Sequence, residues 1–329
     1  MQIAEQGMNM NTYMITGGTG GLGLATARLL AQQANTQVVL AVRDTDNAQR
    51  LTQGWNENVH IRYLNLADLN EVDRFIAEWD LPLAGLMNNA GIQIVDRTRF
   101  SPQQGDTKGF EETVTVNHLA ALKLTQGLMP FLQGGRVLFI GSGSHHPRNV
   151  TAGLFGFRGA RFQSIEHSVR AEIESTDSKG TAPRQAGMDR YATSKFLNMV
   201  TTVELARRTC DQDTAIFCLD PGLMAGTGLV RTQTALEVFG WKYILPLFAW
   251  LLPESSTPKR SADAAAWILS QPHHFTSGTI FSFNKKPAKG IWDKVFDVEL
   301  GQRVVDDSLA LMNGLNRAQQ EKALLEDIR

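Results

Sequence analysis

The chain is 329 residues long, with 32 Lys and Arg set against 33 Asp and Glu, and 43% of its residues are hydrophobic. A net charge of -1 gives no electrostatic footprint for nucleic acid, and the apolar fraction suffices for a large core in a soluble globular fold. Two cysteines, Cys210 and Cys218, lack Cys-x-x-Cys spacing; that pattern argues against a disulfide framework and fits a reducing compartment.

The opening residues, MQIAEQGMNMN, have no basic start followed by an apolar run, so no signal peptide is expected and the chain is assigned to the cytoplasm. From there, short β-branched runs alternate with helical patterns. TYMIT (12–16), QVVLAV (37–42), HIRYLNL (60–66), LAGLMNN (83–89) and RVLFIGS (136–142) read as strands. Between them, LGLATARLLAQQ, LNEVDRFIAEW and NHLAALKLTQGLMPFL carry apolar residues at helical spacing. Strands alternating with helices predict right-handed βαβ units, an α/β fold and a doubly wound, mostly parallel sheet.

At 147–188 the rhythm breaks into glycines and mixed charge, which reads as an insertion, partly helical around FQSIEHSVRAEIE, lying over one end of the sheet. The pattern resumes with a helix at 189–208, a strand TAIFCL (214–219), a helix near ADAAAWILS (262–270) and a strand GTIFSF (278–283). That makes seven strands in one Rossmann domain spanning 1–329, closed by a charged helical tail at 295–329. The longest apolar stretch, VFGWKYILPLFAWLLP (238–253), is broken by Lys242 and Pro246 and falls short of the about 20 apolar residues that span a bilayer. It reads as buried lid or core, with contact at a membrane surface as the alternative.

Two stretches carry chemistry. TGGTGGLG (16–23) sits between the first strand and the first helix, where glycine lets the backbone approach a pyrophosphate and the helix N-terminus offers free N–H groups. DRYATSKFLN (189–198) puts Tyr191 and Lys195 four positions apart, one above the other on a helical face. An ammonium beside a phenol favours the phenolate and brings an acid/base role nearer neutral pH. Chance would also supply such a pair. His145 and His146 lack a third ligand at suitable spacing, so no metal site is expected.

Thr-Gly-x-x-x-Gly-x-Gly at 16–23, NNAG at 88–91, VNHL at 116–119, a serine ending the fifth strand, YATSK at 191–195 and DPG at 220–222 occur in one register. In that order they resemble the short-chain dehydrogenases/reductases. The resemblance implies that Tyr191 is the acid/base, that Lys195 lowers its pKa and holds the nicotinamide ribose, that Ser142 bonds the substrate oxygen, and that Asn117 supports a water-linked relay through Lys195. Ser144 is the fallback for Ser142, and Asn117 could instead simply tie helix to sheet. Asn88 and Asn89 bridge backbone strands on this reading. The gap of 49 residues between Ser142 and Tyr191 exceeds the family's usual one, and the insertion accounts for it.

For the cofactor, the resemblance implies contacts from Gly17, Thr19, Gly20, Gly21, Leu22, Gly23, Arg43, Asn65, Leu66, Asn89, Ala90, Gly91, Pro221, Gly222 and Thr227, besides Tyr191 and Lys195. Arg43 at the end of the second strand suits the 2′-phosphate of NADP(H) better than the ribose hydroxyls of NAD(H). Asn65 stands where the family commonly has an aspartate.

The C-terminal half, notably PGLMAGTGLVR (221–231), is similar to the protochlorophyllide reductase and retinol dehydrogenase-like branch. NNAG and YATSK are nevertheless the general family forms, and no cysteine matches the one such pigment reductases carry. The expected function is therefore NADP(H)-dependent interconversion of a carbonyl and an alcohol. A C=C reductase of the protochlorophyllide type and a non-catalytic NADP(H)-binding sensor or scaffold are the alternatives. The aromatics Phe239, Trp241, Tyr243, Phe248 and Trp250 within 228–255 suit an apolar lid over a bulky lipophilic substrate, or mere packing against the sheet. With its insertion before the tyrosine helix, the chain is expected to be a monomer rather than a homo-oligomer.

Overall fold

The computed structural model describes residues 10–103, 106–171, 183–224, 254–271 and 275–327. Strands β1 (Asn11–Thr16), β2 (Thr36–Val42), β3 (Val59–Tyr63) and β4 (Gly85–Asn88) alternate with helices α1 (Gly21–Ala31), α2 (Thr45–Thr52) and α3 (Leu69–Ala77). A hairpin of β5 (Phe100–Gln103) and β6 (Asp106–Glu111) follows. It leads into α4, which runs as Glu112–Val114, a π-helical turn at Thr115–Leu119, and Ala120–Leu128. Then come β7 (Arg136–Ile140), α5 (Val150–Leu154), α6 (Ile165–Val169), α7 (Pro183–Arg208), β8 (Ala215–Asp220) and β9 (Leu223–Met224). Short β10 (Ser255–Ser256), α8 (Pro258–Ser270), β11 (Ile280–Ser282) and α9 (Val298–Asp327) complete the chain.

Seven strands form one sheet in the order β11-β8-β7-β4-β1-β2-β3, every pairing parallel. Alternate strand residues enter different cores: Met14, Val39, Val137 and Phe139 face one, whereas Ile15, Leu40, Leu138 and Phe217 face the other. Period-two sorting of continuous apolar runs is what a sheet covered on both faces requires. Helices α1 and α8 cover one face through Ala27, Leu30, Ala265 and Ile268. The other face takes Val72 and Phe75 of α3, Leu122 and Leu124 of α4, and Phe196 and Val200 of α7. The strand order reverses direction between β1 and β4, so a crevice opens at their carboxyl ends, the usual ligand position in such sheets.

Two features differ from the sequence expectation. The β5–β6 hairpin is antiparallel and was not expected; it lies outside the main sheet and contains Pro102. Helix α7 begins at Pro183 rather than at 189, because proline suits a first helical turn whose N–H would be unpaired anyway. The insertion does hold a helix within the expected stretch, and Arg170 after it grips Asp106 of the hairpin through both Nη atoms at 2.9 and 2.5 Å. Residues 172–182 of the insertion, Thr227, and 228–253 of the expected lid with its five aromatics lie outside the described residues.

The C-terminal helix lies against α7. Val304, Val305 and Met312 are buried there, Ser308 Oγ meets His118 Nε2 at 3.0 Å, and Arg208 pairs with Asp306 at 2.8 Å.

Candidate active site

The glycine turn between β1 and α1 is dictated by crowding. Gly17 has φ +67, and a Cβ there would lie 2.8 Å from the Ala90 Cα; a Cβ on Gly23 would lie 2.4 Å from the Asn89 amide nitrogen. Asn89 needs that proximity, since its side-chain amide donates to the Thr16 and Gly17 carbonyls at 2.8 and 3.1 Å. Thr16 Oγ1 in turn accepts the backbone N–H groups of Asn89 and Ala90 at 3.1 and 3.0 Å. The ends of β1 and β4 are thus locked together. By contrast a Cβ on Gly20 would meet nothing within 4 Å, and α1 starts there with no side-chain cap and no acid in its first turn. Open space in front of free helix N–H groups fits a pyrophosphate.

At the end of β2, Asp44 caps α2 by accepting the Asn47 N–H at 2.9 Å, while Arg43 is exposed and has no ion pair or hydrogen bond among the described residues. Asn65 Oδ1 accepts the Ala67 N–H at 3.2 Å, so the side chain where the family has aspartate shapes the turn after β3. Leu66 beside it is buried. Across the crevice Gly222 has φ +71, a Cβ on it would collide with the Glu254 carbonyl and the Phe283 ring, and the Pro221 carbonyl accepts Ser261 Oγ at 2.7 Å. Strands β9 and β10 pair beside this turn, so the chain leaves towards the expected lid and returns from it at one point.

Between these two turns lie the residues singled out for chemistry. Ser142 ends the β7 segment and caps a 3₁₀ turn at Gly143–His145. Its Oγ accepts from the Ser144 N–H at 3.2 Å and from the Ser144 hydroxyl at 3.0 Å, leaving its own proton for the Tyr191 oxygen, to which it is hydrogen-bonded. Ser144 therefore braces Ser142.

Tyr191 and Lys195 are 7% and 4% exposed on α7, with the ammonium 5.6 Å from the phenol ring centre. Lys195 Nζ donates to the Ile140 carbonyl at 3.2 Å. Burial pushes the phenol well above its ordinary value of 10.0, the Asp220 charge adds to this, and the Ser142 hydrogen bond opposes it. Burial brings the Lys195 ammonium down to about 8, against the nearby Cys218 and Asp220.

Asn117 sits in the π-helical turn of α4. Its Oδ1 accepts the Ile92 N–H at 2.8 Å, and its Nδ2 donates to the Ile92 carbonyl and to Ser194 Oγ, both at 2.9 Å. It ties α4 to the loop after β4 and to α7. A Cβ on Gly91 would stand 3.3 Å from Lys195 Nζ and 3.5 Å from Asn117 Oδ1, so glycine there leaves the space between them open. Asn88 reaches Thr125 Oγ1 at 2.8 Å, a helix-to-sheet tie.

Two residues escaped the sequence reading. Asp220, ending β8, accepts the Gly222 N–H at 3.0 Å. Burial raises its carboxyl to about 6, opposed by the Gly222 and Gly143 N–H groups and by Lys195 and reinforced by Glu254. The Asp of DPG was the available signal. His145 is buried, its Nδ1 donating to the Ser142 carbonyl at 2.7 Å and its Nε2 accepting the Trp292 N–H at 3.2 Å. Burial pushes this imidazole down to about 4. Both ring nitrogens are engaged, so the ring serves as a neutral strut.

Residues 11–156 match the family model for short chain dehydrogenases. The chain is similar along most of its length to the chloroplastic protochlorophyllide reductase of Pisum sativum, 29% identical over 91% of this chain and 75% of that one. Protochlorophyllide reductase A of Arabidopsis thaliana is 28% identical over 93% and 77%. Over residues 11–156 the chain is thus similar to the short-chain dehydrogenases, and along most of its length to reductases of that type.

Solved structures of similar fold include an uncharacterised protein from Mycobacterium paratuberculosis, with a TM-score of 0.64, 23% identity and coverage of 94% of this chain and 97% of that one. Another is the 3-ketoacyl-(acyl-carrier-protein) reductase of Brucella melitensis complexed with NADH, with a TM-score of 0.56, 18% identity and coverage of 83% and 96%. These similarities mark the chain as an oxidoreductase with a nicotinamide-nucleotide fold acting on a small molecule. No helix among the described residues is long and apolar enough to cross a membrane.

Proposed function

We propose that this short-chain dehydrogenase/reductase uses NADP(H) to interconvert a carbonyl and an alcohol on a bulky hydrophobic substrate, with Tyr191 as the general acid and base. The observation that carries this reading is the hydrogen-bonded Ser142–Tyr191 pair with the Lys195 ammonium beside it. The nicotinamide, when bound, supplies or accepts the hydride. Everything else falls to the chain. A carbonyl carbon that gains hydride leaves an alkoxide, which needs a proton and a hydrogen-bond donor at the same oxygen. Tyr191, kept protonated by burial, gives the proton, and Ser142 donates the hydrogen bond. The Lys195 charge then favours the tyrosinate left behind.

Asn117, with its amide committed to Ile92 and Ser194, holds the open space beside Gly91 through which a water reconnects Lys195 to solvent. The turn at 17–23 with Asn89 to Gly91 holds the pyrophosphate and adjoining ribose, and Asn65 and Leu66 border the adenine. Pro221 and Gly222 would border the nicotinamide, and Thr227, outside the described residues, is the expected contact to its carboxamide. Arg43, without an ion pair or hydrogen bond among the described residues, would meet the 2′-phosphate. The helix α9 on the outer face of α7 supports a monomer in one domain, which light scattering tests; a clean tetramer would refute it.

The experiment is a panel of lipophilic ketones, aldehydes and alcohols, followed by NADPH oxidation or NADP reduction, beside Tyr191→Phe. Wild-type turnover with a loss of roughly 10²–10⁴-fold in the variant is expected for a lost general acid; unchanged turnover would remove Tyr191 from the mechanism. The protochlorophyllide reductase relatives favour a second reading, C=C reduction in a pigment-like ring. Against it, Cys210 is exposed beyond the end of α7, and Cys218 is buried with its thiol pushed up to about 12, so neither is a ready proton donor. Light-dependent conversion of protochlorophyllide would decide for this second reading.

A further inference from the structure

A cleft of about 470 Å³ opens on the far side of His145 from Ser142, between the insertion, α7 and the start of α9. Its size falls within the range of small-molecule sites. The floor is aromatic: the Phe196 ring lies 5.3 Å from Trp292 and 6.5 Å from Phe162, tilted to each; Phe196 is buried and the other two are half-buried. Around it stand Arg161, Lys294 and Arg303, with Asp297 as the single carboxylate in the wall.

The charges are not balanced internally. Asp297 spends Oδ1 on the Leu300 N–H at 3.0 Å, capping α9, and lies in no ion pair among the described residues. Arg161 and Arg303 likewise have no side-chain hydrogen bond or ion pair there, and Lys294 only stacks on its neighbour Trp292 at 5.0 Å. Two guanidinium groups without partners among the described residues, flanking the part-exposed Phe162 and Trp292 rings, are the complement of a flat apolar body with one carboxylate: the rings stack, and a guanidinium forks onto the anion. One wall carboxylate disfavours a dianion, and the aromatic floor gives inorganic phosphate little to hold.

We propose that this cleft is a binding site for a polycyclic aromatic monocarboxylate, separate from the Ser142–Tyr191–Lys195 site. Among the described residues its floor reaches that site through the Trp292–His145–Ser142 strut and through Phe196, the residue after Lys195.

The probe is 1-pyrenebutyrate, titrated into NADPH-loaded protein and followed by energy transfer from tryptophan to pyrene. Saturable binding is expected, with affinity at least tenfold weaker in Arg161→Gln/Arg303→Gln, whose residues are exposed and make no side-chain hydrogen bond or ion pair among the described residues, and weaker also for the uncharged methyl ester on wild type. Trp292→Phe should keep binding while losing part of the transfer, and Tyr191→Phe should bind as wild type does. No saturable binding up to the solubility limit, equal affinity in the double arginine variant, or loss of binding in Tyr191→Phe would each overturn the proposal.

Discussion

Replacing Lys195 by Met should stabilise the fold while removing turnover. Lys195 is 4% exposed, and burial brings its ammonium from 10.5 to about 8. At about 1.4 kcal/mol per pKa unit, holding that charge inside costs on the order of 3 kcal/mol at pH 7. Met keeps the length and apolar stem of the side chain, and the Ile140 carbonyl still accepts from Asn198 Nδ2 at 3.2 Å, so no buried acceptor is orphaned. Asp220 loses a neighbouring positive charge, which offsets part of the gain and leaves about 1–3 kcal/mol net.

The pH dependence has a definite sign. Below about 8 the folded chain carries the buried charge and the cost is complete; between about 8 and 10.5 the folded chain has released a proton that the unfolded chain retains, so the wild type gains stability as pH rises. The advantage of Lys195→Met therefore shrinks across that window. Urea unfolding of both proteins at pH 7 and pH 10 measures it. A variant less stable than wild type at pH 7, or a difference independent of pH, would refute the reasoning.

Arg43→Ala should raise the KM for NADPH by about 10–100-fold, the value of a hydrogen bond to a charged group, with little effect on NADH; equal effects on both would exclude Arg43 from the phosphate. Arg190 and Glu111 form an ion pair at 3.2 Å with neither side chain exposed, anchoring the helix of Tyr191 to the start of α4. Arg190→Ala should cost about 3–5 kcal/mol in urea unfolding because the partner charge stays buried. His145→Leu removes the strut behind Ser142 and should lower kcat by about 10–100-fold, as small misplacements of reacting groups do, with the KM for NADPH unchanged. Because burial holds that imidazole near 4, wild-type rates should show no His145 inflection between pH 5 and 8.

The parallel sheet was legible because buried strands are continuous apolar runs, and the turn at 16–23 because glycine is the only residue that fits against Ala90 and Asn89. The β5–β6 hairpin was not, since FSPQ and DTKGFE have neither a long apolar run nor clean alternation. What holds the hairpin is tertiary: Gln103 donates to the Ala67 carbonyl at 2.9 Å, and Asp106 is fixed by Arg170, 64 residues on. Asp220 and His145 were missed for the same reason, their importance lying in neighbours that only folding supplies.

Helix α7 shows the same limit from the other direction. Its first residues, PRQAG, carry no apolar stripe, and further along Thr193, Ser194, Asn198, Thr201, Thr202 and Glu204 are all buried. A helix enclosed on every side has no polar face to reveal its orientation. Several of its polar side chains are tied to other elements: Thr193 to the Arg161 N–H, Ser194 to Asn117, and Asn198 to the Ile140 carbonyl. Such matching fixes the rotation of α7 about its axis, and with it where Tyr191 and Lys195 point. The spacing of Tyr191 and Lys195 therefore only permits proton transfer; the polar ties around the rest of the helix turn Tyr191 towards Ser142 and Lys195 towards the Ile140 carbonyl.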